Sequence, residues 1–137
     1  MLNKLYYAAI CVANDMKHIH THAVGAEFDR VHDIFQGYYE KASGDADTLS
    51  ELALEYRENI ENPSFAAELI KWEPANMERY TYSQAMSAAK ERLGIYVQAL
   101  SDVDDTETVD SDVRSYLDEV LRYWKKELDY KIDRRSK

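Results

Sequence analysis

All four histidines fall between positions 18 and 32: His18, His20, His22 and His32. Downstream come Gln36, four residues after His32, and then Asp47 and Glu51, themselves four apart. Residues four apart share a helical face. Imidazole with carboxylate is a donor set for iron or zinc, and acidic ligands stabilise the ferric product of ferrous oxidation. His32 and Asp47 are fifteen residues apart, so on one helix they stand roughly 22 Å apart along the axis and cannot hold the same ion. Two antiparallel copies of that helix can. A two-fold axis between Lys41 and Ala42 sets His32 against the second copy's position 51, and Gln36 against position 47. Gly44 then faces position 39. Such an isologous dimer carries two equivalent sites. His20, next to Ile19 on the apolar border of the preceding helix, can reach the same place. The plain alternative is a polar helix edge with solvated carboxylates.

These residues must be positioned by helices. The stripe Leu2, Leu5, Ala9, Val12, Met16, Ile19 and Ala23 steps by three and four, the spacing of one buried face. Gly25 provides a break. The next stripe, Phe28, Val31, Phe35, Tyr38, Ala42, Leu49, Leu52, Tyr56 and Ile60, predicts one helix from about Glu27 to Glu61. Gly37, Ser43 and Gly44 interrupt its middle, and small residues in a helix interior ask for a packing reason. Asn62, Pro63 and Ser64 end it. A short amphipathic piece, Phe65 to Trp72, precedes a loop from Glu73 to Thr81. Two more stripes follow: Tyr82, Met86, Ala89, Leu93, Tyr96, Leu100, and then Val113, Leu117, Val120, Trp124, Leu128, Ile132. The expectation is an all-α fold in a single domain over 1–137, with four main helices, no strand, and a short helix inside a long crossover between the second and third. One long crossover is the ferritin-like form of the four-helix bundle.

Composition agrees. The chain has 137 residues, 45% hydrophobic and 31% charged, with 4 Gly and 2 Pro, which is one helical domain's worth of core and too little punctuation for a many-stranded fold. The longest apolar run, Leu5 to Ala13, is too short for a membrane span. A single cysteine, Cys11, excludes an internal disulfide framework and suits a reducing, cytoplasmic compartment. Cys11 has apolar neighbours and reads as packed rather than redox-active. Aromatic packing accounts for most of the 11 tyrosines. The net charge of −9 disfavours nucleic acid as the main partner and favours cations.

The stretch His20-Thr-His-Ala-Val-Gly25, followed by Phe28, His32, Phe35, Asp47 and Glu51, resembles the Dps proteins (DNA protection during starvation) of the ferritin superfamily. The family pattern is a His, a Gly five later, a His seven beyond that, then Asp and Glu fifteen and nineteen past the second His. The likeness is sharpest from His20 to Glu55. It implies a dodecameric shell of four-helix subunits with ferroxidase sites at two-fold interfaces. His20 and His32 of one chain and Asp47 and Glu51 of another would be the catalytic and metal-binding residues, with Gln36 a further metal neighbour. It implies ferrous iron oxidised by hydrogen peroxide and stored as ferric mineral, with zinc a competitor for the ligands. Two positions depart from the pattern: Gln36 replaces a carboxylate and Thr21 replaces a tryptophan. These favour the alternative, a ferritin-like shell or interaction module with little catalysis. Family members that bind DNA directly often carry a Lys-rich terminal extension. Here the basic tail is Arg134, Arg135 and Lys137, and DNA binding is not expected. His18 and His22, four apart, form an accessory metal pair or a pair of exposed histidines. The acids from Asp102 to Asp112 line a cation pore in the family reading and form a solvated loop in the plain one.

Overall fold

The computed structural model describes residues 1–106 and 109–132, so Glu107 and the tail residues Arg134, Arg135 and Lys137 lie outside the described residues. The helices are α1 (Leu2–Thr21), α2 (Phe28–Glu55), the short α3 (Ala66–Leu69), α4 (Tyr82–Asp104) and α5 (Ser111–Lys126). A 3₁₀ turn, Pro63–Phe65, leads into α3, and α5 widens into a π-helix over Glu127–Ile132. The fold is all-α: among the described residues the extended pairing is one isolated bridge, Ala23 to Tyr80. Among the described residues no helix is long and apolar enough to cross a membrane.

The four stripes converge on one core. Leu2, Leu5, Met16, Ile19, Phe35, Leu49, Met86, Leu93, Tyr96, Leu100 and Trp124 are completely or almost completely buried. α1 packs most extensively on α2, and α4 on α1 and α5. Phe28 departs from its stripe. It opens α2, is 40% exposed, and its ring lies 5.3 Å from that of His32.

α2 stops at Glu55, six residues short of the sequence expectation. The stop is a Schellman motif. The Arg57 N–H bonds to the Leu54 carbonyl and the Glu58 N–H to the Ala53 carbonyl, with Arg57 left-handed at φ 58. Glycine ordinarily fills that position. α3 ends the same way: Lys71 is left-handed at φ 55, and Trp72 N–H reaches back to the Ala67 carbonyl. A motif closed by Arg or Lys leaves little trace in sequence.

The crossover then runs the length of α1. Asn3 Nδ2 donates to the Asn59 carbonyl, and Glu61 N–H to the Tyr7 hydroxyl. Further along, Trp72 Nε1 and Ala75 N–H donate to Asp15, and His18 Nε2 to the Met77 carbonyl. Tyr80 N–H finally meets the His22 carbonyl. Partners on α1 advance with the crossover, so it travels in α1's direction and α4 starts beside α1's end. α4 therefore runs parallel to α2, the one-crossover connectivity. The Glu58 carboxylate meanwhile accepts from Leu2 and Asn3 N–H, which α1 cannot satisfy itself.

Two buried aspartates tie the helices together. Asp15 also accepts from Arg92 Nε of α4 at 2.9 Å. Burial pushes its pKa up, while the bonds from Trp72 and Ala75 and the Arg92 charge oppose that rise. Asp45 of α2 accepts from Lys41 Nζ at 2.6 Å, Tyr96 OH of α4 at 3.0 Å and Trp124 Nε1 of α5 at 2.7 Å. The Asp45→Ala substitution strands two fully buried donors and should cost about 3 kcal/mol or more in equilibrium urea unfolding.

A second carboxyl pair, Asp104 of α4 and Asp118 of α5, couples to pH. Desolvation, then a hydrogen bond and charge repulsion from Asp118, push Asp104 up to about 6. A carboxyl raised on folding adds stability below its unfolded pKa and loses that contribution as pH rises through the folded value. Thermal melts of the native chain should show this loss between pH 4 and 7. Asp104→Asn, which keeps a hydrogen-bond donor but no titrating proton, should flatten that part of the profile.

Candidate metal centre

α1 ends at Thr21 and α2 begins at Phe28, so the chain reverses within six residues. Gly25 makes the turn at φ +98, a conformation that strains residues with a side chain. The end of the crossover, just before α4, braces it through Val24 N–H to the Tyr80 carbonyl at 2.9 Å. This tight reversal brings His20, in the last turn of α1, against His32, in the second turn of α2. Their ring centroids are 3.7 Å apart and tilted by 33°. Tyr39, two turns along α2, packs edge-on to His20 at 5.3 Å.

His20 Nδ1 lies 2.7 Å from the His32 carbonyl oxygen. A carbonyl oxygen accepts only, so Nδ1 carries the proton. The Nε2 lone pair of His20 is left for a ligand. Metal-binding histidines are oriented in this way, with one ring nitrogen anchored by a hydrogen bond and the other presented. His32 Nδ1 lies 3.9 Å from Asp33 Oδ1.

The carboxylates stand elsewhere. Asp47 and Glu51 are exposed on α2, roughly four and five turns beyond His32. Asp47 faces the early part of α1, where its charge adds to burial and to Tyr7 in raising the pKa of Tyr6. Gln36 is exposed, and its amide donates to Glu40 at 3.1 Å. Thr21 is exposed and bonds to the Lys17 carbonyl. Among the described residues no three His, Cys, Asp or Glu side chains converge on one point in a single chain. The structure brings His20 and His32 together, with Gln36 one turn further along α2, and does not bring Asp47 or Glu51 to them.

Sequence reasoning passed over Asp15 and Asp45. The available signal was position: Asp15 lies three residues after Val12, and Asp45 three after Ala42, so both fall on apolar stripes. Cys11 is packed as expected. Burial, then the Asp15 charge, pushes its thiol up to about 12, so it stays protonated and unreactive.

No family model and no curated protein matches the chain. Among solved structures it is similar to antigen TpF1 from Treponema pallidum, with a TM-score of 0.86 and 17% identity. The match covers 99% of this chain and 91% of that one. At this identity the likeness is one of fold.

The middle of α2 generates a direct test. A Cβ built at Gly37 or Gly44 meets nothing within 4 Å, so nothing inside one chain requires glycine there, and each costs the helix about 1 kcal/mol relative to alanine. An interface would require them. Gly44→Leu should therefore leave helix content by circular dichroism unchanged while lowering the associated fraction in size-exclusion chromatography. Unchanged association would remove the reason for small residues at this crossing.

Proposed function

We propose that the chain is an iron-oxidising and iron-storing protein of the Dps type. It takes ferrous iron as substrate at sites shared by two copies across a two-fold axis. The observation that carries this reading is the His20–His32 pair. Two imidazoles converge, one with its tautomer set so that Nε2 is presented, while the matching acids lie roughly four and five turns away on the same helix. A second α2, antiparallel, supplies them.

In this reading His20 and His32 of one chain face Asp47 and Glu51 of the other. The imidazoles hold the ferrous ion, and the carboxylates compensate the extra charge of the ferric product. Glu51, with two oxygens, is suited to bridge two ions. Each ferrous ion gives up one electron, and hydrogen peroxide accepts two electrons and two protons to give two waters. The net charge of −9 attracts cations to the surface. Two-fold pairs joined to one another through further contacts would close a shell, a dodecamer in the family resemblance, with ferric mineral inside. The buried thiol of Cys11 is compatible with a reducing compartment such as the cytoplasm.

One observation favours the second reading, a shell or interaction module with little catalysis. The Gln36 amide, where the family pattern has a carboxylate, is occupied with Glu40. A neutral amide compensates a second ferric ion poorly.

The test is anaerobic ferrous titration followed by peroxide, reading ferric absorbance and iron per subunit alongside native mass spectrometry. Glu51→Ala should slow oxidation about tenfold or more, as loss of a ligand-setting group does at metal sites, with His18→Ala close to the native rate. Gln36→Asp should tighten a second ferrous binding event and speed oxidation, with assembly unchanged. An intact shell that oxidises no iron, with or without Glu51, would establish the shell reading. A chain that stays monomeric at micromolar concentration would overturn both.

A further inference from the structure

We infer that His18 and His22 form a second metal site, separate from the His20–His32 pair, taking a borderline divalent cation such as Zn²⁺ or Cu²⁺. The two residues are one turn apart at the end of α1, and their ring centroids are 4.1 Å apart with a 32° tilt. Both tautomers are set by carbonyl oxygens. His18 Nε2 donates to the Met77 carbonyl at 2.9 Å, and His22 Nδ1 donates to the His18 carbonyl at 2.8 Å. Each ring therefore keeps one lone pair, on Nδ1 of His18 and on Nε2 of His22. Tyr80 packs edge-on to the His18 ring at 5.7 Å and helps hold it.

The geometry suits chelation. Bonds of about 2.0–2.1 Å at a tetrahedral angle place two ligating nitrogens roughly 3.3 Å apart, which rings already in contact reach with small rotations. Histidines at i and i+4 on a helix are a known zinc-binding arrangement. Imidazole nitrogen favours copper and zinc over harder ions, and both residues are half-buried. On a helix, His20 points to roughly the opposite side from His18 and His22. The two pairs thus look out on different neighbours, α2 for His20 and the crossover for His18.

The position implies a structural consequence. His18 bonds to Met77, and the His22 carbonyl accepts from Tyr80 N–H. A cation on the two rings would clamp the last turn of α1 where the crossover hands over to α4, and binding only the folded chain would raise its stability.

The experiment uses the full chain carrying His20→Ala and His32→Ala, which removes the two histidines proposed to hold iron. Titration calorimetry with Zn²⁺ should retain one equivalent per chain, and Cu²⁺ added in its place should give an electron paramagnetic resonance signal with nitrogen coupling. Zn²⁺ should also raise the melting temperature. His18→Gln, whose amide can still donate to the Met77 carbonyl, should abolish that equivalent and the thermal shift, and so should His22→Gln. Circular dichroism verifies folding in each case. Absence of the equivalent in the parent, or its survival in both glutamine variants, would overturn the site.

Discussion

The chain must return from the end of α2 to the far end of the bundle before α4 can begin, and the Asp15 carboxyl is where that return is held. It receives the Trp72 indole and the Ala75 amide from the crossover and the Arg92 guanidinium from α4. Two segments distant from Asp15 in sequence thus share one acceptor. An aspartate in this setting is costly to bury, which is why its pKa rises despite three donors. The cost is offset because each donor would otherwise be left without a partner. With the crossover held along α1, α4 can only start beside Ala23, and the parallel relation of α2 and α4 follows.

Asp45 plays the matching part on the other side of the core. It joins α2 to Tyr96 and Trp124, whose rings contact each other at 6.0 Å. Apolar stripes can slide past one another at modest cost, whereas a buried carboxyl with directional donors from two helices is satisfied in one register. The polar groups therefore select among packings that hydrophobic burial alone would leave close in energy. Holding α2 in a single register also defines where Asp47 and Glu51 stand on its outer face.

The candidate metal centre depends on a different constraint, the short reversal at Gly25. Because α1 and α2 are joined within six residues, the last turn of one and the second turn of the other meet, and His20 stacks on His32. The same helix that presents His32 carries the acids away by its rise per residue. A site needing all four residues is therefore a property of two chains, and the unexplained openness around Gly37 and Gly44 falls between its two ends.

Much of this was legible in the residues themselves. Apolar periodicity alone located α1, α4 and α5, the short helix in the crossover and the central line of the core, because burial of one face imposes its period on the sequence, while flanking core residues such as Tyr6, Cys11, Trp72, Tyr80 and Leu121 lie off the stripes. The histidine pair was legible for the same reason, as both residues border a stripe near a glycine turn. The end of α2 was not, since Arg57 adopts a left-handed conformation that its type does not announce. The exposure of Phe28 was not either, since periodicity says which face a residue takes and not how far along the helix the core reaches. The places of Asp15 and Asp45 on apolar stripes set them apart from a solvated acid such as Asp33, but named none of their partners. Hydrophobic spacing is set by neighbours three and four residues away, so the sequence carries it openly. Apart from Lys41 on Asp45's own helix, the partners of the two buried carboxyls lie 51 to 79 residues off, and only the folded chain brings them within hydrogen-bonding distance.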